Sequence, residues 1–142
     1  MGCVSRGLLL MSCSTYTVGD MDALYAVEAE PEVRAWLELL SGKHFRKVEG
    51  YAEVLAELGP QTPMPYVRPL RDGVSELRPT LDGVATRITY WITGDRRVVL
   101  LTVFRKTRSH EEAQIGRAVL AKKECEVSHG PAHMVFSREE GE

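Results

Sequence analysis

The chain has 142 residues, 44% of them apolar and 27% charged, with a net charge of −2; that is enough for one domain with a core of its own. No apolar run approaches the roughly 18 residues that span a bilayer, and three scattered cysteines (Cys3, Cys13, Cys125) argue against a disulfide framework and for a reducing, cytoplasmic setting. The small net charge conceals a segregation: residues 1–60 hold five Lys/Arg against nine Asp/Glu, residues 61–123 twelve against six, and residues 124–142 one against five.

The first twenty residues match no targeting pattern. Leu8 to Met11 is too short for a signal-peptide core, and Arg6 stands where a myristoylation motif needs Ser or Thr. Residues 1–20 are expected to be a disordered extension, with Met21 as the natural start and a domain over 21–125. Leu24 to Val27 reads as a short strand. Glu30-Pro31 opens a helix on which Val33, Trp36, Leu37 and Leu40 share one face, and Gly42 is its expected stop. A second helix over about 43–58 carries Phe45, Val48, Tyr51 or Ala52, Leu55 and Leu58, and Gly59-Pro60 ends it.

Strands follow. Tyr66–Leu70 and Val74–Arg78 flank the turn Arg71-Asp72-Gly73, and Leu81-Asp82-Gly83 turns again. Thr86–Thr93 alternates, with Ile88, Tyr90 and Ile92 on one side and Arg87, Thr89 and Trp91 on the other. After Gly94-Asp95, Val98–Phe104 is apolar on both parities, the pattern of a central strand covered on both faces. Ser109 with Glu112 forms a capping box for a last helix to about Glu124. The order β-α-α-β-β-β-β-α predicts an α+β domain: an N-terminal strand and helical hairpin on a four- to five-stranded, mainly antiparallel sheet, with a C-terminal helix. Cys125, His129 and His133 have zinc-like residue types, but Gly130-Pro131 interrupts any helix that would align them. An acidic flexible tail over 126–142 is the expectation there, and no metal or cofactor is assigned.

The basic residues sit at strand ends. In an antiparallel meander the end of one strand lies beside the start of the next, so Arg78 and Arg87 are expected close together. Arg105 and Lys106 join them if the central strand ends at the same edge, and Arg68 and Arg71 flank the preceding turn. Guanidinium groups present planar, permanently charged donors that suit phosphate oxygens. Any one of these arginines is accounted for by a surface ion pair; the convergence of several is not.

The stretches PYVRPLRDGVSELRP and ATRITYWITGDRRVVLLTVFRKTRSHEEAQIGRA resemble the RelE/HigB toxins of bacterial type II toxin–antitoxin modules, within the RelE/ParE superfamily and closest to its actinobacterial members. The likeness runs from about Tyr25 to about Lys123. It implies a RelE-like fold and ribosome-dependent, metal-independent cleavage of mRNA. It also implies a helix-turn-helix antitoxin as partner beside ribosome and mRNA, with no membrane and no small-molecule cofactor. Arg78, Arg87, Arg105 and Lys106 fall at the family's catalytic basic positions, and Arg68, Arg71, Arg108 and His110 are the RNA-binding candidates. Lys106, crowded by Arg105 and Arg108, and His110 are the candidate proton-transfer groups; for His110 the favoured reading is an exposed residue in the first turn of the last helix. The tyrosine that some relatives place near the last helix is missing, since no Tyr follows Tyr90. Two alternatives stand beside the interferase: a ParE-like gyrase inhibitor and a non-catalytic antitoxin-binding module.

Overall fold

The structure, a computed structural model, describes the backbone of residues 8–11, 16–18, 24–107, 110–128 and 134–137, with side chains over 24–107 and 110–127. In chain order the elements are β1 (Leu8–Met11), β2 (Tyr16–Val18), β3 (Ala26–Ala29), α1 (Pro31–Leu39), α2 (Gly42–Leu58), β4 (Val67–Arg71), β5 (Val74–Leu77), β6 (Thr80–Leu81), β7 (Val84–Ile92), β8 (Arg97–Arg105), α3 (Glu111–Ser128) and β9 (Met134–Ser137). The α+β architecture is the one the periodicity predicts, and α3 runs four residues past its expected end. The capping box at Ser109 and the residues Arg108, His129 and His133 lie outside the described residues.

Helix α1 begins with Pro31 in its first turn, where a missing N–H breaks no hydrogen bond. It buries Val33 and Leu37, with Trp36 and Leu40 half-buried beside them. Gly42 does not end α1; it opens α2. Ser41 caps α2 by accepting the His44 N–H on its hydroxyl at 3.2 Å, because the first N–H groups of a helix have no internal partner. The face of α2 carries Phe45, Val48, Ala52, Leu55 and Ala56, while Leu58 is exposed. Gly59 closes α2 at φ 52°, and the Tyr25 ring occupies the space that a side chain there would fill.

Two Asp-Gly pairs make the tight hairpins. Asp72 and Gly73 (φ 54° and 79°) join β4 to β5, and Asp82 and Gly83 (φ 50° and 81°) join β6 to β7. Both central residues are left-handed, which matches the twist of the flanking strands. Between β7 and β8 the left-handed position falls on Arg96 rather than Gly94.

The strand order is β4-β5-β7-β8-β3-β2-β1-β9, with β6 added to the start of β7. The long β7–β8 hairpin is antiparallel, while β3 joins β8 in parallel and makes β8 a central strand. β1, β2 and β9 continue the sheet beyond β3, in segments where sequence patterning predicts no element. Past the pair Ala29–Leu100, the edge of β8 has no strand partner among the described residues. Glu32 accepts the Val103 N–H at 3.1 Å there, and Arg117 donates to the Val103 carbonyl at 3.4 Å. Unpaired backbone groups at a sheet edge are thus satisfied by side chains of α1 and α3.

Both faces of β7–β8 are covered, as the apolar run of β8 predicts. Ile88, Tyr90, Val98 and Leu100 pack on α1 and α2. Val99, Leu101 and half-buried Trp91 pack on α3 with Val74, Ala118 and Cys125. A single irregularity sets which way the end of β8 faces. Thr89 is opposite Thr102 but Tyr90 is opposite Leu100, so Leu101 is an extra residue in β8. A bulge of this kind reverses the in–out parity of everything beyond it.

Candidate functional site

The charged side chains gather on the α3-covered face of the sheet, toward the end of β8. Register places Arg68 of β4 opposite Glu76 of β5, Glu76 opposite Thr89 of β7, and Arg87 opposite Phe104. Directly opposed residues share a face, so all of these lie on one side, and Arg78 follows Glu76 at the same parity. The side chains converge. Glu76 Oε2 is 3.2 Å from Arg68 Nε, 3.6 Å from Arg87 Nε and 3.7 Å from Arg78 Nε. One carboxylate, 1% exposed, therefore gathers three guanidinium groups. Arg87 is the most deeply buried of them (8%), then Arg78 (22%), then Arg68 (38%).

Burial governs the electrostatics. Desolvation raises the Glu76 carboxyl above its ordinary value, against the opposing pull of Arg68, Arg87 and Arg78. Arg87 is shifted down, first by its own desolvation and then by the like charge of Arg78. Holding these charges together in a sheet interior costs free energy. Three cations against one carboxylate leave the cluster with a net positive charge facing outward along the graded arginines.

A second ring of ion pairs connects the cluster to α3. Glu111 in the first turn of α3 pairs with Arg68 and, at 3.2 Å, with Lys106 Nζ; Glu112 pairs with Arg71. The two cations together pull the Glu111 carboxyl below its ordinary range, led by the hydrogen bond from Lys106. His110 is exposed immediately before α3, and its carbonyl accepts the Gln114 N–H at 3.1 Å.

The residues singled out from the sequence are thus divided. Arg68, Arg78 and Arg87 come together. Lys106 and Arg71 are attached through Glu111 and Glu112, so the neighbour that the structure gives Lys106 is a carboxylate. Arg105 is not with them. It lies opposite Thr86 on the α1–α2 face and lines a groove there with Trp36 and Val84. Strict alternation from buried Val98 puts Arg105 on the Arg87 side; the extra residue Leu101 moves it to the other. Sequence reading missed Glu76 and Glu111. A signal for Glu76 was present, because it shares strand parity with Val74 and Arg78 and is the one acidic residue within β5. Tyr90 is core, 4% exposed, as its parity indicates. Cys125 is buried beside Trp91, and desolvation pushes its thiol up to about 12, which keeps it protonated.

Among the described residues no helix is long and apolar enough to cross a membrane. Residues 35–124, from α1 through most of α3, match the family model described as phage derived protein Gp49-like (DUF891). A comparison with curated proteins found no match.

Proposed function

The chain belongs to the Gp49-like family, toxins of RelE/HigB-type toxin–antitoxin systems, and on that premise we propose that it is a ribosome-dependent mRNA endonuclease held in check by a helix-turn-helix antitoxin. The observation that carries this reading is the convergence of Arg68, Arg78 and Arg87 on buried Glu76, with Lys106 joined to them through Glu111.

In the proposed reaction an RNA 2′-OH attacks the adjacent phosphorus, and the bond to the 5′ oxygen of the next nucleotide breaks. Negative charge builds on the phosphorane oxygens. Fixed guanidinium donors stabilise that charge more than they stabilise the ground state, and their positions are set before substrate arrives. Arg78 and Arg87 are the proposed phosphate clamp, and Arg68 extends it toward the surface. Glu76 is a positioning residue: it is too buried to touch RNA, and it fixes the direction of three side chains that otherwise repel one another. Lys106 is the proposed proton-transfer group, because it stands at the open end of the cluster. Arg105, on the other face, has no part in this clamp.

Growth arrest on induced expression, with new mRNA 5′ ends at codon-associated positions in a translating extract, is the expected result. Arg78→Ala combined with Arg87→Ala should abolish both. Supercoiling defects without RNA cuts would point instead to a ParE-like gyrase inhibitor. A wild-type chain that neither cuts RNA nor binds ribosomes at low salt would be a non-catalytic antitoxin-binding module.

A further inference from the structure

The α1–α2 face carries a feature that the RNA-cleaving reading does not use. An open groove of about 430 Å3 lies between α1, the start of α2, the β6–β7 turn and the end of β8. Its apolar lining includes Trp36, Leu81, Val84 and Val103, and Val84 is 41% exposed. Arg105 stands at its end, exposed, with no carboxylate partner among the described residues. On the opposite wall Asp82 is already engaged, by His44 Nε2 at 2.9 Å and Lys43 Nζ at 3.5 Å. The charge left over at the rim is therefore positive.

We propose that this groove is the docking site for an apolar segment of the antitoxin that carries an acidic side chain for Arg105. The proposal rests on the toxin–antitoxin reading above. Two observations select this occupant. The lining is predominantly apolar, so the driving force is burial of hydrocarbon, which a protein segment supplies and a phosphate backbone does not. The uncompensated cation at the rim selects an acidic residue to accompany that burial. Register adds a geometric point: Thr86 and Arg105 face the groove while Arg87, between them in the hairpin, turns to Glu76 and the arginine cluster. Neighbouring residues of the same strand ends thus serve two surfaces, one on each side of the sheet.

The test uses the full chain, tagged, and the small protein encoded by the adjacent reading frame as the probe. Binding is titrated for the wild type, Val84→Glu, Val84→Leu and Arg105→Glu, with thermal melts to confirm folding. Each glutamate is expected to weaken binding at least tenfold, since one buries a carboxylate in an apolar lining and the other reverses the rim charge. Val84→Leu should bind like the wild type. Cells expressing Val84→Glu should remain growth-arrested when the probe is co-expressed. If Val84→Glu does not fold, the exposed Arg105→Glu position decides alone. Glutamate variants that bind within twofold of the wild type overturn the groove and leave the toxin–antitoxin reading intact. Loss of single-stranded RNA oligonucleotide binding by Arg105→Glu, with probe binding unchanged, overturns it in favour of an RNA surface. A wild-type chain that does not bind the probe removes the antitoxin reading, and the groove assignment with it.

Discussion

Replacing Arg87 by Met separates a structural arginine from a phosphate-binding one. Arg87 Nε is 3.6 Å from Glu76 Oε2, and both side chains are almost fully buried. At an effective dielectric of about 20 that separation is worth about 5 kcal/mol of attraction. Desolvation of the two ions costs several kcal/mol each, and Arg78 repels Arg87. Glu76 also keeps Arg68 at 3.2 Å and Arg78 at 3.7 Å after the substitution, so no carboxylate is left uncompensated. Methionine fills much of the vacated space with an adaptable apolar chain. The stability change is therefore expected within about 1 kcal/mol, only a few degrees in Tm. Cleavage of mRNA in a translating extract should fall by about 10²- to 10³-fold, roughly 2.7–4 kcal/mol, the cost of deleting one preorganised donor. A loss of more than about 3 kcal/mol of folding stability, as when a buried ion pair is broken, would show that Arg87 is structural. Cleavage within tenfold of the wild type would remove it from the clamp.

The same geometry sets three other expected outcomes. The Glu76 carboxyl is raised above its ordinary value near 4.5, so the folded chain holds a proton that the unfolded chain has released. Its contribution to stability is present below the unfolded value and lost as pH rises through the folded one. Urea unfolding between about pH 4 and about pH 7 should therefore show the wild type losing ground to Glu76→Gln as pH rises; the opposite slope would mean that the arginines outweigh desolvation. Glu111→Gln frees Lys106 and leaves Arg68 with Glu76 as its remaining carboxylate, so single-stranded RNA should bind more tightly and with a steeper salt dependence, by about 0.7 in the logarithmic slope for each additional phosphate. Unchanged affinity and slope would mean that those cations do not meet RNA. Gly59→Ala must hold φ at 52° and displace the Tyr25 ring. A loss of more than about 1 kcal/mol by urea titration is expected, and an unaffected midpoint would contradict the closeness of that packing.

Much of the fold is legible in the sequence because its signals are local. The spacing of Val33 and Leu37 in α1 and of Phe45, Val48, Ala52 and Leu55 in α2 marks helix faces that the structure buries. The pairs Asp72-Gly73 and Asp82-Gly83 supply the left-handed residues that tight hairpins need. Parity in β7 separates Ile88 and Tyr90 from Arg87 and Thr89, and the two sets do lie on different faces. Gly42 misleads at the boundary between α1 and α2, because glycine marks a helix end in sequence while the Ser41 hydroxyl is there to start a new one.

Sequence by itself determined the three helices, the strands β3, β4, β5, β7 and β8, the segregated basic segment and the neighbourhood of Arg78 and Arg87, since hairpin order brings successive strand ends together. Tertiary structure decided which charges meet. Glu76 became the centre of the cluster only when β4, β5 and β7 lay side by side in register, and Glu111 joined only when α3 crossed the sheet. The parallel pairing of β3 with β8 depended on two segments about seventy residues apart. The face of Arg105 turned on one residue, because alternation along a strand is a local period of two, while a bulge is set by the pairing with a neighbouring strand. Leu101 adds that residue, and Arg105 emerges behind the arginine cluster, at the end of the groove it lines with Trp36 and Val84.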